Sequence, residues 1–444
     1  MTDLSRSRSV DGQSRSGVEA AAAEESARVY RPRVVDRQLR DLLDAVGAVV
    51  IEGPKACGKT ATARRLAASE VLLDVDDTAR ETAAIDPGLI LEGATPRLVD
   101  EWQLEPKLWN RVRREVDDRR QAGQFILTGS AVPPDETTRH SGAGRISRLQ
   151  MRPMSLFELG KSSGSISLRE LLGGEPARSP ATEFTIPELA IEISIGGWPG
   201  LRDRSPEQAL QGIRGYLDEI RRTDISRIDG VRRDPERVGR ILRSLARNVS
   251  TYVAETTLAA DTAGSDGASL SRNAVRDYLD ALKRLFVVED QPAWDTHLRS
   301  KYRLRRAPKR LFVDPSLAVA ALRATPERVL RDMNLFGFLF ESLVVRDLRV
   351  YAQACDAEVL QYHDSNGLEV DAIVQAADGN WAAFEIKLGG GRIEEGAASL
   401  KKFAKQIDIS RSGEAAMLGV IVGTGYGYMR EDGIAVIPIT ALGP

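Results

Sequence analysis

Gly53-Pro54-Lys55-Ala56-Cys57-Gly58-Lys59-Thr60 places four residues between Gly53 and a Gly-Lys-Thr triplet, the spacing of a phosphate-binding loop. Glycines at both ends let the backbone curl until successive N–H groups face phosphate oxygens. The helix that starts through Ala61 adds its positive end. In that geometry Lys59 reaches the β- and γ-phosphates of a nucleoside triphosphate and the Thr60 hydroxyl takes one place on Mg²⁺. An apolar strand, Val49 to Ile51, leads in, and a helix follows, so strand, loop and helix occur in the order the chemistry needs.

A second strand, Arg97-Leu98-Val99, ends in Asp100 and Glu101. Behind a phosphate loop at this distance, Asp100 would hold the metal through water and Glu101 would orient the attacking water. A third, Gln124 to Leu127, runs into Thr128-Gly129-Ser130, and either hydroxyl could meet a γ-phosphate or the lytic water at the carboxyl edge of the sheet. The glycine-rich stretch Ser141 to Arg148 carries Arg145. In oligomeric nucleotide hydrolases an arginine here reaches a neighbour's γ-phosphate, where a guanidinium stabilises developing charge.

Near the other end, Leu368-Glu369-Val370-Asp371-Ala372 and Ala383-Phe384-Glu385-Ile386-Lys387 are separated by Asp378-Gly379-Asn380. Side chains alternate along a strand, so Glu369 and Asp371 share a face, as do Glu385 and Lys387. A two-residue turn centred between Asp378 and Gly379 would put Asp371 opposite Ile386 and part the acids. An odd-length loop or a bulge is therefore expected. The pattern resembles the restriction-endonuclease-like nuclease fold. That resemblance implies a Mg²⁺ site at Asp371 and Glu385, with Lys387 orienting a water and Glu341, on a helix from Phe338 to Leu348, adding a carboxylate. Alternating charge is also what a solvated antiparallel strand shows.

The elements that position these groups read as strands alternating with helices, hence a largely parallel sheet. An amphipathic helix spans Arg33 to Ala45, a strand Val71 to Asp76, and a helix from Pro106 carries Leu108, Val112 and Val116 on one face. At 444 residues the chain exceeds one core. A net charge of −2 excludes a uniformly basic nucleic-acid coat. Cys57 and Cys355 are the only cysteines and suggest neither a disulfide framework nor a metal knuckle. No apolar run approaches the roughly 20 residues that cross a bilayer, and the N-terminus lacks the apolar core of a signal peptide, so a cytoplasmic protein without a membrane partner is expected.

Gly53 to Thr60, Leu98 to Glu101, Phe125 to Ser130 and Arg145 through Met151-Arg152-Pro153-Met154-Ser155-Leu156-Phe157-Glu158 together resemble prokaryotic ATPases of the AAA superfamily with a C-terminal domain of unknown function, DUF4143. Leu311-Phe312-Val313-Asp314-Pro315-Ser316 and Gly337-Phe338-Leu339-Phe340-Glu341 extend the likeness. It implies ATP binding and a sheet in which another strand lies between the phosphate-loop strand and the acid-tipped strand.

The expected organisation is a disordered tail over 1–28 and an AAA-type P-loop domain over 29–160. A linker and helical lid over 161–234 and a winged-helix-like domain over 235–310 follow, with a nuclease-like α/β domain over 311–444. The linker is drawn at the Ser/Gly/Pro-rich stretch 161–185. The winged-helix reading rests on three amphipathic helices followed by a strand, the third capped by Ser271. Its exposed polar residues Arg272, Asn273, Arg276 and Lys283, with the cationic run Arg299 to Arg310, are candidates for DNA. DNA, a protein partner recruited under control of ATP, and a homo-oligomer all remain open.

Overall fold

In the strand Ala48–Glu52, Val49 and Ile51 face one side and Ala48 and Val50 the other, and both sides are fully buried. Such a strand belongs in the middle of a sheet covered on both faces. The computed structural model describes residues 30–132, 141–263, 269–295 and 308–444. The expected tail, residues 264–268 and most of the cationic run lie outside them.

Five strands, β1 (Ala48–Glu52), β2 (Ser69–Leu72), β3 (Arg97–Asp100), β4 (Phe125–Gly129) and β5 (Ile146–Gln150), form one parallel sheet in the order β2-β3-β4-β1-β5. β4 lies between β1 and β3, as the family resemblance implied. The loops after β1, β3 and β4 therefore converge at one edge, where open α/β sheets hold ligands. Helix Val35–Ala45 packs Leu39 and Leu43 with Val49 and Ile51 on one face. On the other, Lys107–Arg119 packs Leu108, Val112 and Val116 with Val50 and Leu127.

Residues 161–185, expected as a linker, carry β6 (Ile166–Ser167) and a short helix, Leu168–Leu172. Leu168, Leu171 and Leu172 are buried, and this small apolar face outweighs the Ser/Gly composition around it. Helix Ile186–Ile195 opens with a capping box between Thr185 and Glu188. Helix Pro206–Glu219 runs on into a single π turn, Ile220–Asp224.

Helices Pro235–Arg247, Glu255–Asp261 and Arg272–Arg284 precede an antiparallel ribbon, β7 (Val288–Gln291) with β8 (Lys309–Phe312). Ser271 caps the third helix through the Ala274 N–H at 3.2 Å, with Leu270 and Val275 buried beside it, as expected. A second sheet contains β9 (Ala357–His363), β10 (Glu369–Ala376), β11 (Trp381–Lys387), β12 (Met417–Val422), β13 (Tyr428–Met429) and β14 (Ala435–Pro438), in the order β13-β14-β12-β11-β10-β9. β9, β10 and β11 are antiparallel, whereas β12 runs parallel to β11. Helices Met333–Ala354 and Ile393–Gln406 both pack on this sheet. β15 (Leu442–Gly443) returns to pair with β6. The largest core draws its residues from Leu156 to Leu442, and a separate one lies around Trp294, Trp381 and Phe403. Among the described residues no helix is long and apolar enough to cross a membrane.

Candidate functional site

The loop after β1 has Ala56 at φ 61° and Gly58 at φ 104°, so two left-handed residues turn the chain into helix Lys59–Arg64. A Cβ on Gly53 would stand 2.1 Å from the Met151 carbonyl oxygen, so only glycine fits against the exit of β5. Lys59 is buried, and its Nζ donates to the carbonyls of Gly53 at 3.0 Å and Pro54 at 2.9 Å. The ammonium is folded back on its own loop. Pro54 and Cys57 are buried, whereas Ala56 and Ala61 are exposed at the mouth. The loop is braced from outside. Arg33 donates to Cys57 O at 2.8 Å and Arg152 O at 2.6 Å, and pairs with Glu158 at 3.0 Å. Half-exposed Lys55 pairs with Asp224, at the end of the π turn, at 2.6 Å.

Asp100, at the tip of β3, accepts from the Thr60 hydroxyl at 2.8 Å and from the Thr128 hydroxyl on the same oxygen. Among the described residues it has no ion pair. Burial pushes its carboxyl above the usual range, and the two hydroxyls only partly offset this. Glu101 takes a left-handed backbone, φ 54°, costly for a side chain of its kind. Its N–H is held by Thr128 Oγ1 at 3.2 Å, and its carboxylate accepts from Ser130 at 2.8 Å and from Gln103. Thr60, Asp100, Glu101, Thr128 and Ser130 thus form one connected group beside the loop.

Arg145 lies elsewhere. Its carbonyl accepts from Ala48 N–H at the start of β1, and its guanidinium pairs with Asp117 at 2.8 Å. The length of β1, about 15 Å of strand, separates it from its own phosphate loop, so it cannot serve its own nucleotide.

In the second sheet Ala372 pairs with Phe384, and Ala376 N–H bonds to Asn380 O across a three-residue loop with Gly379 at φ 96°. The expected odd-length loop is present. One further step of register sets Asp371 across from Glu385. A bulge between Val370 and Ile373 disturbs the pairing with β9 at the same place. Asp371 Oδ2 accepts from Ile386 N–H at 2.9 Å, and Lys387 lies 3.6 Å from the same oxygen and 2.6 Å from Glu385. Ser399 donates to Glu385 at 2.9 Å. Glu341 joins through a residue not expected here: Lys309 Nζ stands 2.8 Å from Glu341 and 3.3 Å from Asp371. Glu369 does not join. The bulge leaves it half-exposed, 3.5 Å from His363.

Burial pushes the Glu341 and Glu385 carboxyls up to about 7, Asp371 adding repulsion to each. Burial opposes the charge on Asp371 too, yet Lys309 and Lys387 hold its carboxyl below the ordinary value. The cationic run read as a DNA footprint is corrected at its described end. Lys309 and Arg310 are buried, Arg310 donating to the Val253 carbonyl at 3.4 Å. Leu311, Phe312 and Val313 follow directly, so both faces of this strand are apolar, and that run was the available signal that Lys309 and Arg310 turn inward. On the third helix of the trio, Arg272 and Arg276 share Glu255 at 2.7 and 2.8 Å, and Lys283 pairs with Asp290 at 2.7 Å.

Residues 46–160 match a family described as an AAA domain, and residues 336–442 and 187–328 match two domains of unknown function, DUF4143 and DUF8612. Over 384 residues the chain is 25% identical to uncharacterized proteins of Mycobacterium tuberculosis and Mycobacterium bovis, covering 85% of this chain and 79% of each relative. Among solved structures, the Walker-type ATPase of Pyrococcus abyssi superposes with a TM-score of 0.40 at 15% identity, over 64% of this chain and 94% of that one. The match to an AAA domain falls on the residues that form the parallel α/β sheet, with the DUF8612 and DUF4143 matches behind it.

Proposed function

We propose that the chain binds Mg²⁺-ATP in the loop Gly53–Thr60 and hydrolyses it. The observation that carries this reading is Asp100, a buried carboxylate met by two hydroxyls and by no ion pair among the described residues. Thr60 and Asp100 suit a hard cation, the one by direct contact and the other through water. When bound, Mg²⁺ would neutralise charge on the phosphate oxygens. Lys59 must leave the carbonyls of Gly53 and Pro54 to meet the β- and γ-phosphates, with the N–H groups of Lys55 to Ala61 lining the same curl. Glu101, oriented by Ser130 and Gln103, accepts from the attacking water, and Thr128 fixes the spacing of the two acids. Glu101→Gln should retain ATP binding while slowing turnover about 100-fold or more. Turnover equal to wild type would sink the assignment.

Arg145 would act only in trans, in a homo-oligomer where it meets a neighbour's nucleotide. Arg145→Ala then lowers turnover per chain only at concentrations where sedimentation shows assembly.

The C-terminal half admits two readings, a DNA-binding nuclease-like module and an ATP-switched module for a protein partner. The paired state of Arg272, Arg276 and Lys283 favours the second, since a phosphate backbone would have to displace Glu255 and Asp290. DNA retention that is strong at low salt and falls steeply as salt rises would favour the first.

A further inference from the structure

The cluster around Asp371 holds three carboxylates, Glu341, Asp371 and Glu385, and two ammonium groups, Lys309 and Lys387. Lys387 comes from the same strand as Glu385. Lys309 comes from the β7–β8 ribbon and reaches in from another part of the chain, with its side chain 3% exposed. The strand that carries it is fixed. Gln291 pairs with Lys309 across the ribbon, Ser250 N–H bonds to Arg310 O at 3.2 Å and Arg310 N–H to Thr251 O at 3.1 Å. Tyr252 closes the outer side, its ring 5.6 Å from Lys309 Nζ, stacked on His363 and tied to Gln361 at 2.7 Å.

We propose that Lys309 is a built-in replacement for a divalent cation, its ammonium standing between Glu341 and Asp371 so that the charge of these two acids is countered without a metal. This rests on the nuclease-like reading of the sheet only in naming what is replaced. A hard divalent ion needs several oxygens about 2.0–2.6 Å away in a regular shell. Here the oxygens that would supply it, Glu341 Oε1 and Asp371 Oδ1, already accept from Lys309. Among the described residues, no group of three or more His, Cys, Asp or Glu side chains is disposed to hold a metal. Replacing the lysine by methionine keeps the apolar stem, removes the ammonium and leaves two facing acids around the space it occupied.

The test uses nucleotide-free full chain with Asp100→Asn throughout, so that the phosphate loop supplies no carboxylate, and Mn²⁺ as the probe. With Lys309 present, calorimetric titration finds no ion at the cluster, and neither Mn²⁺ nor chelator moves Tm. With Lys309→Met, Tm falls several degrees in chelator and recovers in Mn²⁺. One equivalent is bound, and it is lost when Asp371→Asn is added. Mn²⁺ bound in the presence of Lys309 and lost with Asp371→Asn overturns the proposal, as does a folded Lys309→Met chain that binds none. If no metal rescues folding of Lys309→Met, the Lys309-containing chain decides: Asp371-dependent Mn²⁺ binding overturns the proposal, and its absence supports it. Supercoiled DNA left uncut by Mn²⁺-loaded Lys309→Met sinks the nuclease-like reading and leaves the replacement standing.

Discussion

Asp100 and Asp371 are both buried aspartates of β-strands, and they differ in what stands against their charge. Asp100 meets the hydroxyls of Thr60 and Thr128, which donate hydrogen bonds and carry no charge. Asp371 meets Lys309 and Lys387. Burial raises the carboxyl of the first, whereas the ammonium groups override burial and lower that of the second. An acid left without a counter-charge is stable enough to keep only if a ligand brings one; an acid with resident counter-charges is complete. Asp100 is held by neutral donors alone, whereas Asp371 is held by two ammonium groups of the chain itself.

The sharpest test of that contrast is at Lys59. Lys59→Ala should lower ATP turnover by about 1000-fold or more in a phosphate-release assay, because the transferring phosphoryl group loses its principal cation. An unaffected rate would mean that the loop is not the reaction centre. Next is the paired change of the two aspartates to asparagine. Asp371→Asn takes from Lys309 and Lys387 the carboxylate they share, leaving each with one acid, and should cost about 1.5–3 kcal/mol in urea unfolding. Asp100→Asn, relieving a buried charge without a partner, should leave nucleotide-free stability unchanged or raise it. Equal losses at the two sites would erase the distinction drawn between them.

A smaller effect is expected from pH. The Glu341 and Glu385 carboxyls lie at about 7 when folded and in the ordinary carboxylate range when unfolded. Between those values the folded chain binds more protons, so their contribution to stability falls as pH rises from about 4.5 to about 7. Glu385→Gln should therefore flatten Tm over that window, and an unchanged slope would count against the raised carboxyl. The smallest effect belongs to the pair Lys55–Asp224, whose aspartate is buried and whose lysine is half-exposed. Asp224→Asn should cost about 1 kcal/mol or less after screening. Its more telling readout is ATP affinity, which shifts if the π turn positions the loop.

Much of the first site was legible because its chemistry is local. Loop spacing, acid-tipped strand and hydroxyl-tipped strand each lie within one short stretch, and a parallel sheet brings strand ends of like direction to one edge. The second site depends on register and on a distant ribbon. Alternation predicted that Asp371 and Glu385 needed an odd loop to meet, and they have one. It could not exclude Glu369, because the bulge that removes it comes from pairing with β9. Lys309 was hidden by its neighbours. In a run of arginines a lysine reads as solvated, and only the apolar Leu311-Phe312-Val313 directly after it marked the strand as covered on both faces. The cations on the helix Arg272–Arg284 were legible as exposed but not as paired, since Glu255 and Asp290 lie on other elements.

Arg33 has a mechanical implication. One rigid, planar side chain grips the Cys57 carbonyl of the phosphate loop, the Arg152 carbonyl leaving β5, and Glu158, whose other oxygen accepts from the Ser155 N–H at 2.8 Å. One residue beyond Ser155, Leu156 N–H is anchored on Asp347 of the long helix at 3.0 Å. Guanidinium bonds of this kind tolerate little stretch. The phosphate loop, the exit of β5 and the long helix are therefore strung on one line of hydrogen bonds, with no flexible segment between the first grip and the last.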